Sequence, residues 1–310
     1  MDVGCARRWP GMALAGVLGL TLLGWGNAVL AGSLSYCQGL AEPPAPVQDR
    51  LIQVASVVKD ELGRSGHRLA LISRSGLALE HLGHRYSHAG VSLRDSAHTP
   101  WSVRQLYFAC DEQRPRIFDQ GLTGFVMGTH DPAEGYISIV LLPPDASVAL
   151  ERAALDDGQA VQLLAANYSA NAYAFSARYQ NCNQWVAELL ASAWQSNPDE
   201  ARTREQAQQW LRTESYQPSV IKLHWQPLMW VAALLPWLHQ DDHPAEDIAQ
   251  AQFRISMPLS IETFAQARHP QATRIELCYT GDRLVLRRGW EPIADGCQAA
   301  EGDEVRTLLN

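Results

Sequence analysis

The chain has 310 residues, of which 46% are apolar and 19% charged, too apolar for a disordered tail and too polar for a multi-span membrane protein. Its 25 Lys and Arg against 33 Asp and Glu give a net charge of −8, which argues against a surface built to neutralise a run of phosphates and sets nucleic-acid binding aside.

The first predicted element is a leader. Arg7-Arg8, the apolar stretch from Met12 to Trp25, and Val29-Leu30-Ala31 before Gly32-Ser33 follow the charged, apolar, small-residue order of a secretory signal peptide. Cleavage after Ala31 predicts a periplasmic or secreted protein with no transmembrane span. A retained anchor is the alternative, but the apolar stretch is shorter than the ~20 residues a span needs. A lipid-attachment site at Cys37 is disfavoured by the bulky Tyr36 before it.

After a Pro-rich lead-in over 41–47, Leu51, Val54, Ala55, Val58 and Leu62 show helical spacing and predict a helix over 48–62. Leu69 to Ile72, Ser87 to Leu93, Trp101 to Ala109 and Ile137 to Leu142 read as strands, each bounded by Gly, Pro or polar turns. Helical periodicity returns over 148–168 and 183–195, with a polar helix near 199–212. Trp225 to Leu238 is interrupted by Pro227 and Pro236 and reads as a buried or groove-lining segment. A β-rich portion over 253–298 closes the chain. The expected fold class is α+β, an antiparallel sheet packed on helices with a C-terminal β-rich subdomain. The predicted divisions are a leader over 1–31, an N-terminal extension and helix over 32–66, a core over 67–222, and the aromatic segment with the subdomain over 223–310.

Loss of the leader removes Cys5 and leaves five cysteines, an odd number. Cys278 ends an alternating run whose hairpin returns ahead of Cys297, so these two are expected to pair. Cys37 and Cys110 form the natural second pair, although sequence does not fix connectivity. Cys182 then remains as a lone thiol, which in an oxidising compartment invites a chemical explanation.

That thiol lies in Asn181-Cys182-Asn183-Gln184-Trp185-Val186, where Asn181 is a plausible N-cap and Cys182 falls in the first turn of an amphipathic helix. Free N–H groups and the helix dipole there are expected to lower the thiol pKa and to hold an oxyanion. His88, at the start of a strand in Tyr86-Ser87-His88-Ala89-Gly90-Val91, is the candidate base. Gln105 in Val103-Arg104-Gln105-Leu106 is the candidate orienting group. Asn181, Asn183, Tyr86 and Ser87 are candidates for substrate or oxyanion contacts. Taken singly, a cysteine before an amphipathic helix is more often a packed core thiol and a strand histidine a structural group; together they are more informative. Glu80, His81 and His84 form a rival orienting group. His239, His243 and Asp247 are weighed as a metal site and set aside, because a polar run after Pro236 reads as a solvated turn. No metal and no cofactor are predicted.

These three motifs resemble the His strand, the following strand and the Cys helix of the circularly permuted NlpC/P60-like, papain-like superfamily, which includes relatives of lecithin:retinol acyltransferase and bacterial YiiX-like proteins. The His precedes the Cys here, as in the permuted order. With Ser256-Met257-Pro258-Leu259-Ser260-Ile261-Glu262 and Arg287-Arg288-Gly289-Trp290 the fuller pattern resembles the bacterial domain-of-unknown-function 2145 family over nearly the whole mature chain. The resemblance implies a papain-like core with nucleophile Cys182, base His88 and third residue Gln105, where many relatives have His. Gln carries no charge, so weaker support of an imidazolium is expected.

The expected function is a periplasmic cysteine hydrolase or acyltransferase acting on an amide or ester of a cell-envelope substrate, peptidoglycan or lipid. The alternatives are a catalytically silent binding module of the same fold and a structural partner in the envelope.

Overall fold

The computed structural model describes residues 42–195, 202–223 and 235–308; the expected leader and Cys37 lie outside them. Helix α1 (Ala45–Arg64) buries Leu51, Val54, Ala55, Val58 and Leu62 along one stripe, as its spacing predicts. The strands β1 (Leu69–Arg74), β2 (His88–Leu93), β3 (Ser102–Ala109), β4 (Arg114–Gln120) and β5 (Glu134–Leu141) follow, with a short helix α2 (Leu122–Met127) before β5. Next come α3 (Pro144–Leu155), α4 (Asp157–Gln162), α5 (Cys182–Trp194), α6 (Arg204–Thr213), β6 (Ser219–Lys222), α7 (Ala245–Ala249), β7 (Gln252–Ile255) and α8 (Pro258–Arg268). The chain closes with β8 (Thr273–Thr280), β9 (Arg283–Arg288) and β10 (Glu304–Thr307).

One antiparallel eight-stranded sheet carries the fold, in the order β10-β9-β8-β5-β1-β2-β3-β4. Strand alternation sends Ala70, Ile72, Val103, Ile137, Ile139 and Leu277 to one face, where they pack with α1 and with Leu122, Phe125 and Val126 of α2. The helices α3 and α5 pack on β1, β2 and β3, and α8 packs on α5. Trp185, Val186, Leu189 and Leu190 of α5 are fully buried.

Three expectations change. The strands expected as a C-terminal subdomain extend the central sheet instead: β8 pairs with β5 from Glu134↔Thr280 to Leu141↔Thr273. Every residue of the run Ile137 to Leu141 is buried, Ser138 included, as befits a strand covered on both sides with a neighbour along each edge. The periodicity over 148–168 resolves into α3 and α4, because Asp156 is extended and caps α4 by accepting from Gln159 N at 3.0 Å. The strand β4 carries Pro115 between Arg114 and Arg116 and gives no strand signal, yet it is the sheet edge, where proline is tolerated. A disulfide joins Cys278 to Cys297. Cys110 is disulfide-bonded. Cys182 is free and buried.

Among the described residues no helix is long and apolar enough to cross a membrane. Of the aromatic stretch, 225–234 fall outside the described residues, and Leu235 and Trp237 are buried.

Candidate active site

Cys182 is the first residue of α5. Asn181 is the N-cap, its Oδ1 accepting from Gln184 N at 2.7 Å. The approach to the thiol is fixed by a buried ion pair: Arg204 donates to Glu188 at 2.8 and 3.0 Å and to the carbonyls of Ala177 and Tyr179 at 2.6 and 2.9 Å. Gln180 and Gln208 donate to the same carboxylate at 2.6 and 2.7 Å. A buried pair satisfied this fully binds the loop before Cys182 to the helix that begins with it.

The start of α5 then meets β2 in an unusual way. The β2–β3 ladder runs only from Leu93↔Ser102 to Val91↔Arg104, so the next rung would set Ala89 against Leu106. Asn183 takes that place: its Oδ1 accepts from Ala89 N at 2.9 Å and its Nδ2 donates to Ser87 O at 3.0 Å. One amide side chain thus acts as a strand residue on both sides of His88. The residue after the thiol is bound to the residues flanking the imidazole.

His88 itself is held from the neighbouring strand. Its Nε2 bonds Gln105 Oε1, and Gln105 Nε2 donates to Gln120 Oε1 at 2.7 Å. The acceptor oxygen meets Nε2, so Nε2 carries the proton and Nδ1 carries the lone pair. The geometry depends on Gly90, where a Cβ would strike Val103 Cγ1 at 2.5 Å and approach Gln105 Cβ at 3.3 Å. Across β1, Arg74 is the Cα partner of His88, and Phe125 lies 5.2 Å from its guanidinium carbon and 6.0 Å from the imidazole centroid.

Burial dominates the electrostatics. It pushes the Cys182 thiol up to about 12, against the opposing pull of the Asn183 N–H, the Arg74 cation and its own N–H. Burial and Arg74 together push His88 down to about 3, with the Gln105 bond acting the other way. The expected lowering of the thiol by the helix start is therefore corrected: the backbone contribution is present, but desolvation exceeds it. At neutral pH the resting pair is a thiol and a neutral imidazole.

The expected substrate or oxyanion residues all hold scaffold hydrogen bonds. Asn181 Nδ2 reaches the carbonyls of Ala170 and Ser256 at 3.3 and 3.4 Å, and Asn183 is occupied as described. Tyr86 hydroxyl bonds Glu276 and accepts from Arg274 at 2.8 Å; Ser87 Oγ accepts from Leu77 N at 2.8 Å. The backbone N–H groups of Cys182 and Asn183 lie within hydrogen-bonding reach of the thiol. The rival group Glu80, His81 and His84 makes no bond to His88, whose partner is Gln105. His243 bonds Asn171 O at 2.7 Å, His239 stacks on Tyr179 at 4.2 Å, and Asp247 pairs with Arg254 at 2.7 Å, so these residues brace loops. Among the described residues no group of three or more His, Cys, Asp or Glu is placed to hold a metal. Gln120 and Arg74 are the site neighbours that sequence reasoning missed; β4 gave no strand signal, and Arg74 ends a strand read only to Ile72.

Fold and site together define a mixed α+β protein with a large antiparallel sheet and a free, buried thiol at a helix start. Residues 61–265 match the family described as "Uncharacterized protein conserved in bacteria (DUF2145)". The match spans well over half of the chain, which belongs to that family. It takes in β1 to β7 and most of α8 and ends before β8, so Arg287-Arg288-Gly289-Trp290 lies outside it. No curated protein and no solved structure matches the chain.

Proposed function

We propose that this protein is a periplasmic thiol hydrolase or acyltransferase with a papain-like, permuted NlpC/P60-like core, acting on an amide or ester of a cell-envelope substrate. The observation that carries the reading is the Asn183 clamp, which holds the start of the thiol helix to the strand residues on either side of His88. Cys182 Sγ attacks the carbonyl carbon as its proton passes to His88 Nδ1, and the carbonyl π pair moves to oxygen. The N–H groups at the start of α5 stabilise that oxyanion. Collapse breaks the bond to the leaving amine or alkoxide, which takes the proton from His88. Water or an acceptor alcohol or amine then attacks the thioester and restores the thiol.

Because both groups rest neutral, proton transfer accompanies attack instead of preceding it. Burial of the thiol is also the feature that favours the second reading, a catalytically silent envelope-binding module. Intact-mass analysis after exposure to p-nitrophenyl esters and to peptidoglycan fragments separates the two. The hydrolase reading expects an acyl adduct on Cys182 that hydroxylamine releases and that Cys182→Ser and His88→Ala abolish. No adduct with any of these acyl donors contradicts it.

A further inference from the structure

The run Arg287-Arg288-Gly289-Trp290 takes no part in the proposed mechanism, yet Arg288, Gly289 and Trp290 line a cavity of about 740 Å³. Alternation along β9 places them there. Leu284 and Leu286 belong to the core beneath α1, so Arg288, two residues on, lies on that same face. Glu304 and Arg306 of β10 are the Cα partners of Leu286 and Leu284 and share it. The last turn of α1 brings Glu61 and Arg64 to the same cavity.

Each residue of the run shapes this space. Arg287 donates to both oxygens of Asp303 at 2.8 and 2.7 Å, which fixes the start of β10 against β9. Gly289 has a φ of +125°, where a side chain is strained, and a Cβ there would meet no atom within 4 Å; bare backbone keeps the cavity open. Trp290 is held at two points, its indole N–H donating to Ala272 O and its carbonyl accepting from Arg274, each at 3.3 Å. With Leu141 and Ile275 it supplies the apolar lining.

The rest of the lining is cationic. Glu61 is only 3% exposed, and three guanidiniums from three elements converge on it: Arg64, Arg288 at 2.7 Å and Arg306 at 3.2 Å. Arg306 also pairs with Glu304 at 2.7 Å. Three cations against two carboxylates leave one positive charge. Arg64 and Arg288 each carry five N–H donors, place one amino group on Glu61, and are more than half exposed. Guanidiniums gathered this closely repel one another, and a monoanion seated among them offsets that repulsion.

We propose that this cavity binds a small amphiphilic monoanion, an apolar group bearing one carboxylate. The proposal stands independently of the thiol-enzyme reading. An apolar wall with a few convergent polar groups is the common form of a small-ligand site. The planar guanidinium fork matches a carboxylate, so Arg64 and Arg288 take the head of the ligand and Trp290 its body.

The test is an NMR titration of the nitrogen-labelled full chain, followed through the indole N–H signal of Trp290, which is identified by its loss in Trp290→Leu. Hydrocinnamate, a phenyl ring joined to a carboxylate, is expected to shift that signal saturably. Its uncharged amide, and acetate, which lacks the ring, are each expected to bind about tenfold more weakly. Arg288→Gln is expected to weaken hydrocinnamate about tenfold. That variant keeps its fold because Glu61 retains Arg64 and Arg306, and Arg64→Gln repeats the reading from the helix side. No saturable shift, equal binding of the amide, or an affinity unchanged in both arginine variants overturns the proposal. Tighter binding of dibutyl phosphate than of hydrocinnamate overturns the choice of a carboxylate.

Discussion

Asn183 Oδ1 accepts the amide hydrogen of Ala89 at 2.9 Å, which ties the residue after Cys182 to the residue after His88 across ninety-four positions of sequence. The same side chain donates to Ser87 O at 3.0 Å, so one amide replaces a missing rung of the β2–β3 ladder. Asn183→Ala leaves a backbone N–H and a carbonyl without partners at a buried junction. It is expected to destabilise the fold by about 3 kcal/mol and to slow alkylation of Cys182 on the order of a hundredfold. Urea midpoints and iodoacetamide kinetics measure the two effects, and a variant that loses stability but keeps full reactivity would show that the clamp does not align the pair.

Gln105 selects the imidazole tautomer. Gln105→Leu removes the acceptor at Nε2 and is expected to lower Cys182 reactivity on the order of a hundredfold with little change in the helix of Cys182. Gln105→Glu places a carboxylate against the same nitrogen and raises the His88 pKa above its present value of about 3. NMR titration of the His88 ring reads that rise directly.

Gly90 sets the spacing between β2 and β3. In Gly90→Ala the added Cβ meets Val103 Cγ1 at 2.5 Å and Arg104 O at 3.0 Å, a backbone contact that no rotamer change relieves. The expected loss is about 1 to 3 kcal/mol, accompanied by reduced thiol reactivity because Gln105 is displaced from His88. Thermal melting and alkylation rates are expected to fall together.

The displaced pKa values make stability depend on pH from both sides. Below pH 6.5 the unfolded chain protonates His88 while the folded chain, with its imidazole near 3, does not. Stability therefore falls as acid is added between about pH 6.5 and 3. Above pH 9 the unfolded chain ionises Cys182 while the folded chain holds the thiol proton to about 12, and stability falls again as pH rises through that window. His88→Gln is expected to flatten the acid limb and Cys182→Ser the alkaline limb in urea midpoints taken across pH.

Much of this arrangement is legible in the sequence because it rests on short-range signals. The Asn181 cap followed by the Trp185, Val186, Leu189 and Leu190 stripe marks the helix that Cys182 begins. The alternation from His88 to Leu93 marks its strand, and odd cysteine arithmetic isolates the thiol. What escapes is set by tertiary geometry. Asn183 sits in the middle of a helical motif, and nothing local says that its amide will complete a sheet. Gln120 lies on an edge strand disguised by Arg114, Pro115 and Arg116. The neutral resting state of Cys182 follows from how much protein surrounds the sulfur, which outweighs the helix-start contribution that the sequence does display.

The central claim is that the imidazole of His88 serves the thiol of Cys182, and the pH dependence of Cys182 alkylation by iodoacetamide tests it most directly. With neither group titrating between about 3 and 12, His88-assisted attack is expected to hold a flat rate from about pH 5 to 9. In His88→Ala only free thiolate remains reactive, and the rate is expected to be lower and to climb about tenfold per pH unit. Two superimposable profiles, both climbing in that way, would contradict the account.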